Sequence, residues 1–160
     1  MKVKRIHVKN IRSYNEGEVK LPEGSVLLSG DIGSGKTTVL LALEFALFGL
    51  QRGSSSVGPA LLRSGENNAI VKVELEIDGK EVIIERTLKR SKTSITQDTG
   101  FLTVDNERKE LSASEIKGRI LQLLNYPPEF LTKTDLLYRF TIYTPQEEMK
   151  QILLEDADLR

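Results

Sequence analysis

The sequence predicts a mixed α/β fold that combines a glycine-rich turn, a buried helix and an antiparallel β subdomain. The glycine-rich segment GDIGSGKT at 30–37 lies between an apolar run and a helix-forming run. Residues 69–77 alternate between apolar and polar side chains and meet a second β-rich run across an Asp-Gly pair, which is typical of a hairpin. Ser112 and Glu115 have the spacing of a helix-capping box. Together these signals place helices beside an antiparallel sheet.

The first 60 residues are expected to hold three short strands and one helix. Residues 2–9 alternate and carry β-branched side chains, and 17–21 form a second strand before a Pro-Glu-Gly turn. The apolar run 25–29 is typical of a strand buried in a sheet. The run TTVLLALEFALFGL is apolar at almost every position, which predicts a mostly buried helix of about 14 residues ending at Gly49. Residues 51–60 are small and polar and predict a loop.

The second half of the chain is expected to extend the sheet and then become helical. After the hairpin, residues 93–105 continue the antiparallel sheet. The helix that follows Ser112 ends at Asn125 and is expected to bury Ile116, Ile120, Leu123 and Leu124. Further on, we expect a helix over 129–138, an extended segment over 139–143 and a final helix, capped by Thr144 with Pro145 and Glu147 in its first turn.

Composition excludes several classes of protein. Hydrophobic residues make up 39% and charged residues 29% of the 160, which is ordinary for a folded domain and not for a disordered or fibrous chain. There is no cysteine, which excludes disulfides, Cys-ligated metal and thiol nucleophiles, and His7 is the one histidine. No apolar run approaches the length of a membrane span, and the N-terminus lacks a signal-peptide core. We therefore expect no membrane association and an intracellular location, cytoplasmic and nucleoid-associated if the source is prokaryotic.

Residues 30–37 match the phosphate-binding pattern G-x-x-x-x-G-K-[ST] at every fixed position. Glycines at 30, 33 and 35 allow the backbone to curl until several amide groups point at one anion, and the helix N-terminus adds its own amides and dipole. Lys36 would then reach the β- and γ-phosphates, and the Thr37 hydroxyl would ligate Mg²⁺. The segment predicts a site for ATP and Mg²⁺.

An acidic residue that completes such a Mg²⁺ site is missing from the sequence. Hydrolysis needs a carboxylate at the end of an apolar strand and a group that positions water. Asp78 follows a strand that alternates with glutamates, and Asp105 follows a short polar one, so neither fits. The sequence therefore predicts a nucleotide cradle without the rest of the catalytic machinery.

Three segments resemble one family closely: IHVKNIRSYNEGEVKL, LLSGDIGSGKTTVLLALEFALFG and YRFTIYTPQEEMKQIL. They are similar to the N-terminal ATPase lobe of the SMC-like DNA double-strand-break repair ATPases, the Rad-fifty/SbcC group, which are relatives of ABC ATPases. The resemblance covers essentially all of the chain. It implies an ABC-type ATPase lobe over 1–143, with its phosphate loop at 30–37 and a β-rich insert at about 69–105. It also implies a glutamine loop and the start of a coiled-coil helix over 144–160, with the C-terminal lobe absent.

The resemblance also implies roles for individual residues. Lys36 and Gln146 would be catalytic, with Gln146 approaching Mg²⁺ and the attacking water beside Thr37. The remaining nucleotide-binding positions would be Arg12, Ser13, Gly30, Asp31, Ile32, Gly33, Ser34, Gly35, Thr38 and Arg63. Two positions depart from the family: Ile32 stands where asparagine is usual, and Glu147 where glycine often follows the glutamine.

The implied function is ATP-dependent control of DNA end binding and processing in double-strand-break repair. Heads would form a homodimer around ATP, a C-terminal ATPase half on the same or another chain would complete each site, and a nuclease of the Mre-eleven type and double-stranded DNA would be partners. This chain alone would be inactive. The basic run at 80–92, with Lys80, Arg86, Lys89, Arg90 and Lys92, is a candidate DNA patch, while the basic run at 1–12 reads as a solvated face.

Three alternatives remain open at this point. A chromosome-organising SMC ATPase shares the phosphate loop and the Arg-Ser pair. A P-loop nucleotide kinase is disfavoured, because kinases follow the loop with alternating strands and helices rather than with a β-rich insert. A nucleotide-sensing module without catalysis is the third.

Overall fold

The structure is a computed structural model that describes residues 1–50, 58–92 and 94–126. The chain divides into two units, Met1–Pro128 and Glu129–Arg160, and all described residues belong to the first. The helix expected over 129–138, the extended segment 139–143 and the helix capped by Thr144 lie outside the described residues. No helix in the described part is long and apolar enough to cross a membrane.

The described residues form one antiparallel sheet of seven strands. In chain order these are β1 (Lys2–Ile11), β2 (Tyr14–Lys20), β3 (Asn68–Ile77), β4 (Lys80–Arg90), β5 (Ile95–Gln97), β6 (Gly100–Val104) and β7 (Glu107–Leu111). Across the sheet the order is β2-β1-β3-β4-β6-β7, and β5 pairs with the end of β4 that β6 leaves free. The expected mixed α/β fold with an antiparallel β subdomain is confirmed.

Two tight turns set the register of the hairpins. Asp78 and Gly79 have φ of 49° and 79°, the left-handed pair that a two-residue hairpin turn requires, and they join β3 to β4 as predicted. Asp105 and Asn106, with φ of 47° and 70°, form an equivalent turn between β6 and β7. β7 was not predicted from the sequence. Both Asp78 and Asp105 are therefore turn residues, consistent with their poor fit to a Mg²⁺ ligand.

The helices cover one face of this sheet. They are α1 (Lys36–Phe48), α2 (Gly58–Leu61) and α3 (Ala113–Leu123). α1 packs against β1, β3 and β4, and α3 packs against β6 and α1. Fully buried side chains from the sheet meet Phe45 and Leu47 of α1 and Ile116 and Ile120 of α3 to form the core. α2 is a single turn that begins within the segment 51–60 expected to be a loop, and residues 51–57 of that segment lie outside the described part.

The C-terminus of α1 and the N-terminus of α3 follow the predicted signals. The N–H of Gly49, at φ 72°, donates to Phe45 O at 2.8 Å and ends α1. At α3 the Ser112 hydroxyl accepts from the Glu115 N–H, and the Glu115 carboxylate accepts from the Ser112 N–H at 2.8 Å, so the capping box is complete. Within α3, Leu121 is buried, whereas Leu123 and Leu124, which were expected in the core, are half-buried.

The opposite face of the sheet carries a network of ion pairs. Lys4 Nζ lies 3.2 Å from Glu76 and 3.3 Å from Glu81. Its hydrogen bonds with these two carboxylates raise the pKa of Lys4, and the hydrogen bond from Lys4 lowers the pKa of Glu76. Arg5 pairs with Glu74 at 3.4 Å and Glu18 at 3.5 Å. His7 Nε2 lies 3.1 Å from Glu16 on the same face. The positive charges of the run 1–12 are thus largely balanced by glutamate carboxylates from neighbouring strands, which is consistent with a solvated face.

The apolar run 25–29 is not a buried strand, which corrects the sequence-based expectation. It forms no strand, and Val26 and Leu27 are 42% and 89% exposed. A run that is apolar on both faces forms a buried strand only where neighbours cover it on both sides. Within the described residues no strand lies beside it, since the β1 edge is already occupied by the charged β2.

The basic run at 80–92 does not form one surface patch. Arg86 is fully buried, because the alternation of β4 places it on the inner face with Val82, Ile84 and Leu88. Its guanidinium donates from Nε to Ala46 O at 2.6 Å, from Nη1 to Ala113 O at 3.2 Å and from Nη2 to Leu47 O at 3.3 Å. Lys80 lies at the opposite end of β4 from the exposed Lys89 and Arg90. Arg86 therefore leaves the candidate DNA patch.

Candidate functional site

The glycine-rich segment 30–37 forms a loop that leads directly into α1. Gly30, Gly33 and Gly35 have φ of 147°, 84° and 94°, which side-chain-bearing residues rarely adopt, so the loop needs glycine at these positions. Gly35 is the N-cap of α1, and no side chain caps the first amides of that helix. An anion held in this loop would therefore meet backbone N–H groups together with the positive end of the helix dipole.

The ammonium group of Lys36 lies inside the loop. Its Nζ donates to Gly30 O at 2.7 Å and Asp31 O at 2.8 Å and approaches Ser34 Oγ at 3.3 Å. These acceptors are neutral, and their carbonyl oxygens compete weakly with a phosphate oxygen that carries charge. The lysine is thus held in place and remains available to a bound anion.

A cavity of about 260 Å³ opens beside the loop. It is lined by Arg12, Ser13, Gly33, Gly35, Lys36, Thr37 and Thr38. Thr37 is exposed at the first turn of α1, while Thr38 is buried beneath it. The structure therefore brings the predicted Arg-Ser pair and the predicted phosphate loop together around one space.

The Arg-Ser pair is the turn between β1 and β2. Arg12 has φ of 49°, and its N–H donates to Leu61 O at 2.8 Å. Arg63 Nη1 donates to Arg12 O at 3.0 Å and Ser13 O at 2.9 Å. Arg63 is not among the residues that line the cavity, and its role toward a nucleotide stays a prediction.

Tyr14 is a residue of this region that the sequence analysis missed. Its half-buried ring lies against the backbone of Gly35, where a Cβ would come within 2.6 Å of Cε2. The available signal was an aromatic residue directly after the Arg-Ser pair with a glycine, Gly17, three positions later. Such a pattern on an edge strand is common, which is why it did not stand out.

The other predicted site residues fall into two groups. Gly30, Asp31, Ile32 and Ser34 belong to the loop but do not line the cavity, and Ile32 is fully exposed at the loop tip. Gln146 lies outside the described residues. No group of three or more His, Asp or Glu side chains in the described part is arranged to hold a metal ion. The Thr37 hydroxyl, which belongs to a residue lining the cavity, is a candidate ligand for a cation at the loop.

The chain is similar to known proteins along nearly its whole length. Residues 5–159 match the AAA domain family. A "DNA double-strand break repair Rad50 ATPase" of Methanococcus maripaludis is 30% identical over 78% of this chain, and Arcadin-4 of Pyrobaculum calidifontis is 37% identical over 77%. The chain spans 12% and 15% of the lengths of these two relatives.

The fold is also that of a solved structure. A chain from a study of ATP-driven dimerization and DNA-stimulated activation of SMC ATPases superposes with a TM-score of 0.64. It is 19% identical, and the match covers 100% of this chain and 95% of that one. At this identity the likeness concerns the fold.

Proposed function

Because the chain belongs to the AAA domain family, we propose that it is the ATP-binding half of an SMC-like ATPase head that acts in DNA double-strand-break repair. Its similarity to Rad50 ATPases and to an SMC ATPase chain confirms the resemblance that the three sequence segments predict. The observation that supports the proposal is the cavity that Gly35, Lys36 and Thr37 at the start of α1 line together with Arg12 and Ser13.

The residues present fit a magnesium nucleotide. Lys36 would transfer its hydrogen bonds from the loop carbonyls to the β- and γ-phosphate oxygens, gaining a charge-assisted bond in place of neutral ones. The Thr37 hydroxyl would ligate Mg²⁺, which when bound neutralises charge on the phosphates. Arg12 and Ser13, which line the same cavity, would contact the nucleotide beyond the phosphate loop.

Hydrolysis requires groups that the described part of the chain does not bring to this cavity. Asp78 and Asp105, the two acids that follow β-rich runs, lie in hairpin turns, and the described residues form no acidic metal cluster. Gln146 is our candidate for approaching Mg²⁺ and water, and a second, C-terminal ATPase half would supply the missing acids. The chain alone would therefore bind ATP with little turnover.

The exposed apolar run 25–29 supports this dependence on a second half. Val26 and Leu27 expose large apolar side chains immediately before the phosphate loop, and an uncovered run of this kind is unfavourable in water. A strand of the second half, placed beside it, would cover these side chains and pair its backbone. Completion of the sheet and completion of the active site would then be one event.

Dimerisation on ATP, DNA binding and a nuclease partner complete the proposed function. Heads would pair around bound ATP, and hydrolysis would release them. DNA would lie against exposed basic groups through its phosphates. With Arg86 buried and Lys4 and Arg5 paired, the described candidates reduce to Lys89, Arg90 and Lys92 at one end of β4.

Titration with a fluorescent ATP analogue tests the nucleotide site. We expect saturable binding to this chain that strengthens when Mg²⁺ is added. In Thr37→Val, which removes the hydroxyl and keeps the shape, Mg²⁺ should no longer strengthen binding, whereas Thr96→Val, at an exposed position of β5, should behave as wild type. Absence of saturable binding in the folded wild-type chain would refute the proposal.

A further inference from the structure

The ring of Tyr14 lies between two glycines that belong to different parts of the fold. A Cβ at position 35 would come within 2.6 Å of Cε2, 2.7 Å of Oη and 2.9 Å of Cζ. A Cβ at position 17 would come within 2.8 Å of Cδ1 and 3.2 Å of Cε1. One edge of the ring therefore faces the phosphate loop and the other faces strand β2. Real Cβ atoms do not approach so closely, so the ring fits because both neighbours are glycine.

We propose that Tyr14 is a positioning residue of the nucleotide site, whose ring sets the spacing between the phosphate loop and the Arg12-Ser13 turn. This inference rests on the proposed function, because the site it serves is the proposed ATP site. Tyr14 does not line the cavity itself, so it acts through the backbone on either side.

The Arg12-Ser13 turn and the phosphate loop, which line the same cavity, are joined by few hydrogen-bonding contacts in the described part of the chain. The Arg12-Ser13 turn is fixed to the segment after α2, through Leu61 O and the Arg63 guanidinium. Within the described residues no hydrogen bond joins this turn to the loop 30–37. Besides the packing of α1 against β1, the ring of Tyr14, which follows the turn directly and touches Gly35, is therefore a contact that can fix the distance between the turn and the loop at the cavity itself.

A spacing element of this kind contributes to affinity by preorganisation. Without the ring, the loop and the turn would sample several separations, and a bound nucleotide would have to restrict them, which costs binding free energy. The N-cap position of α1 would also lose its packing partner, so the amides that receive the phosphate would be less well oriented. The contact should therefore appear in affinity for nucleotide more than in the stability of the sheet.

Gly17 offers a probe of the ring that touches neither the phosphate loop nor the cavity. It lies within β2, and its φ is not in the left-handed region, so alanine is compatible with its backbone. The new methyl group would press on the Cδ1 edge of the ring and displace it toward Gly35 or away from it. Gly35 itself is unsuitable, because its φ of 94° strains any side chain whether or not the ring is present.

A double-mutant cycle tests the proposal on the 160-residue chain, with a fluorescent ATP analogue plus Mg²⁺ as the probe. We expect Tyr14→Ala to weaken binding about tenfold and Gly17→Ala to weaken it by a smaller factor, and we expect Tyr14→Phe to retain wild-type affinity because it keeps the ring. In the Tyr14→Ala background, Gly17→Ala should have no further effect. Asn15→Ala, an exposed neighbour on β2, is the matched control. Thermal unfolding without nucleotide, measured on each variant, separates loss of affinity from loss of structure.

The outcomes separate this inference from the proposed function. If wild type binds no nucleotide, the proposed function fails. If wild type binds and Tyr14→Ala binds equally well, or if Gly17→Ala weakens binding by the same factor with and without the ring, the positioning role is wrong. Should Tyr14→Ala lose its cooperative transition, Tyr14→Leu, which fills more of the same space, carries the same comparison.

Discussion

Arg86 Nε donates a hydrogen bond of 2.6 Å to the carbonyl oxygen of Ala46 in the interior of the protein. Ala46 lies in the last turn of α1, where carbonyl groups lack partners within the helix and carry the negative end of its dipole. The same guanidinium reaches Leu47 O and Ala113 O. One buried cation thus joins the sheet, the end of the helix that follows the phosphate loop, and the start of α3.

Replacing Arg86 should destabilise the fold more than replacing any exposed basic residue of β4. Arg86→Met removes the donors and leaves buried carbonyl groups unsatisfied, and we expect a loss of about 3 kcal/mol or more in the free energy of unfolding. Arg86→Lys should also be destabilising, because an ammonium group lacks the planar fork of donors. Urea unfolding measures the change. Arg90→Met, at an exposed position on the same strand, is the control, and an equal effect of the two Met substitutions would contradict the structural role.

Lys36 should be needed for nucleotide binding and dispensable for folding. Its ammonium contacts acceptors of the phosphate loop alone among the described residues, so Lys36→Ala breaks no core interaction. We expect binding of the ATP analogue to be lost while the thermal midpoint stays within a few degrees of wild type. Lys20→Ala on β2 is the matched control. An unfolded Lys36→Ala protein would show instead that the lysine stabilises the loop.

The capping box of α3 should make stability depend on pH. Hydrogen bonds from the Ser112 hydroxyl and the Ser112 N–H lower the pKa of Glu115 below its ordinary value of 4.5. A carboxylate with a lowered pKa stabilises the fold above the unfolded-state value, and this contribution is lost as pH falls through the lower, folded-state value. The stability advantage of wild type over Glu115→Gln should therefore be constant near neutral pH and shrink below pH 4.5. Urea midpoints measured from neutral to acidic pH check this.

Ser112→Ala should remove the side-chain cap and reduce that pH dependence, leaving the part that comes from the backbone N–H of residue 112. Loss of a serine N-cap costs about 1 kcal/mol. Ser114→Ala, two residues further along the chain and not part of the capping box, should cost less stability. If Ser112→Ala retained the full pH-dependent advantage of Glu115, the cause assigned to the lowered pKa would be wrong.

Leu27→Lys should be tolerated by this chain on its own. Leu27 is 89% exposed, so the substitution removes little buried apolar surface, and we expect a change in stability within about 0.5 kcal/mol. Leu47→Lys, at a fully buried position of α1, should in contrast prevent folding. A large loss of stability in Leu27→Lys would mean that the run 25–29 is covered within this chain.

DNA binding should depend on the exposed end of β4 and not on the N-terminal strand. Lys89 and Lys92 have no carboxylate partner in the described part of the chain, whereas Lys4 is held by Glu76 and Glu81. We expect Lys89→Ala with Lys92→Ala to weaken binding of duplex DNA by the head completed with its second half, and to lower the salt dependence by roughly one unit of slope per lost phosphate contact. Lys4→Ala should leave both unchanged. Equal effects at the two locations would contradict this assignment.

The sequence predicted most local structure correctly where the signal was itself local. The turn at Asp78-Gly79 and the capping box of Ser112 with Glu115 each depend on a few adjacent residues whose conformational preferences suffice. The alternation along β4 places Arg86 on the inner face with Ile84. Counting the charges along 80–92 instead grouped Arg86 with exposed basic residues. Periodicity was the better guide than composition at this position.

Structure that depends on contacts between residues far apart in sequence was predicted less well. The apolar pattern of 25–29 indicates burial but does not say which strands provide it, and the described residues do not. The contact of Tyr14 with Gly35 joins residues that are far apart in sequence, so no local pattern predicts it. The phosphate loop was predictable in detail, since its glycines, lysine and threonine carry the pattern themselves, whereas the role of Gln146 stays a prediction.

The most direct test of the central claim is nucleotide-dependent association. This chain would be mixed with its C-terminal ATPase half, with and without a non-hydrolysable ATP analogue and Mg²⁺, and the mass of the products measured by light scattering. We predict a complex of the two halves whose mass doubles only when nucleotide is present, and no such complex with Leu27→Lys. Nucleotide binding without any change in mass would contradict the account and indicate a monomeric nucleotide-binding protein.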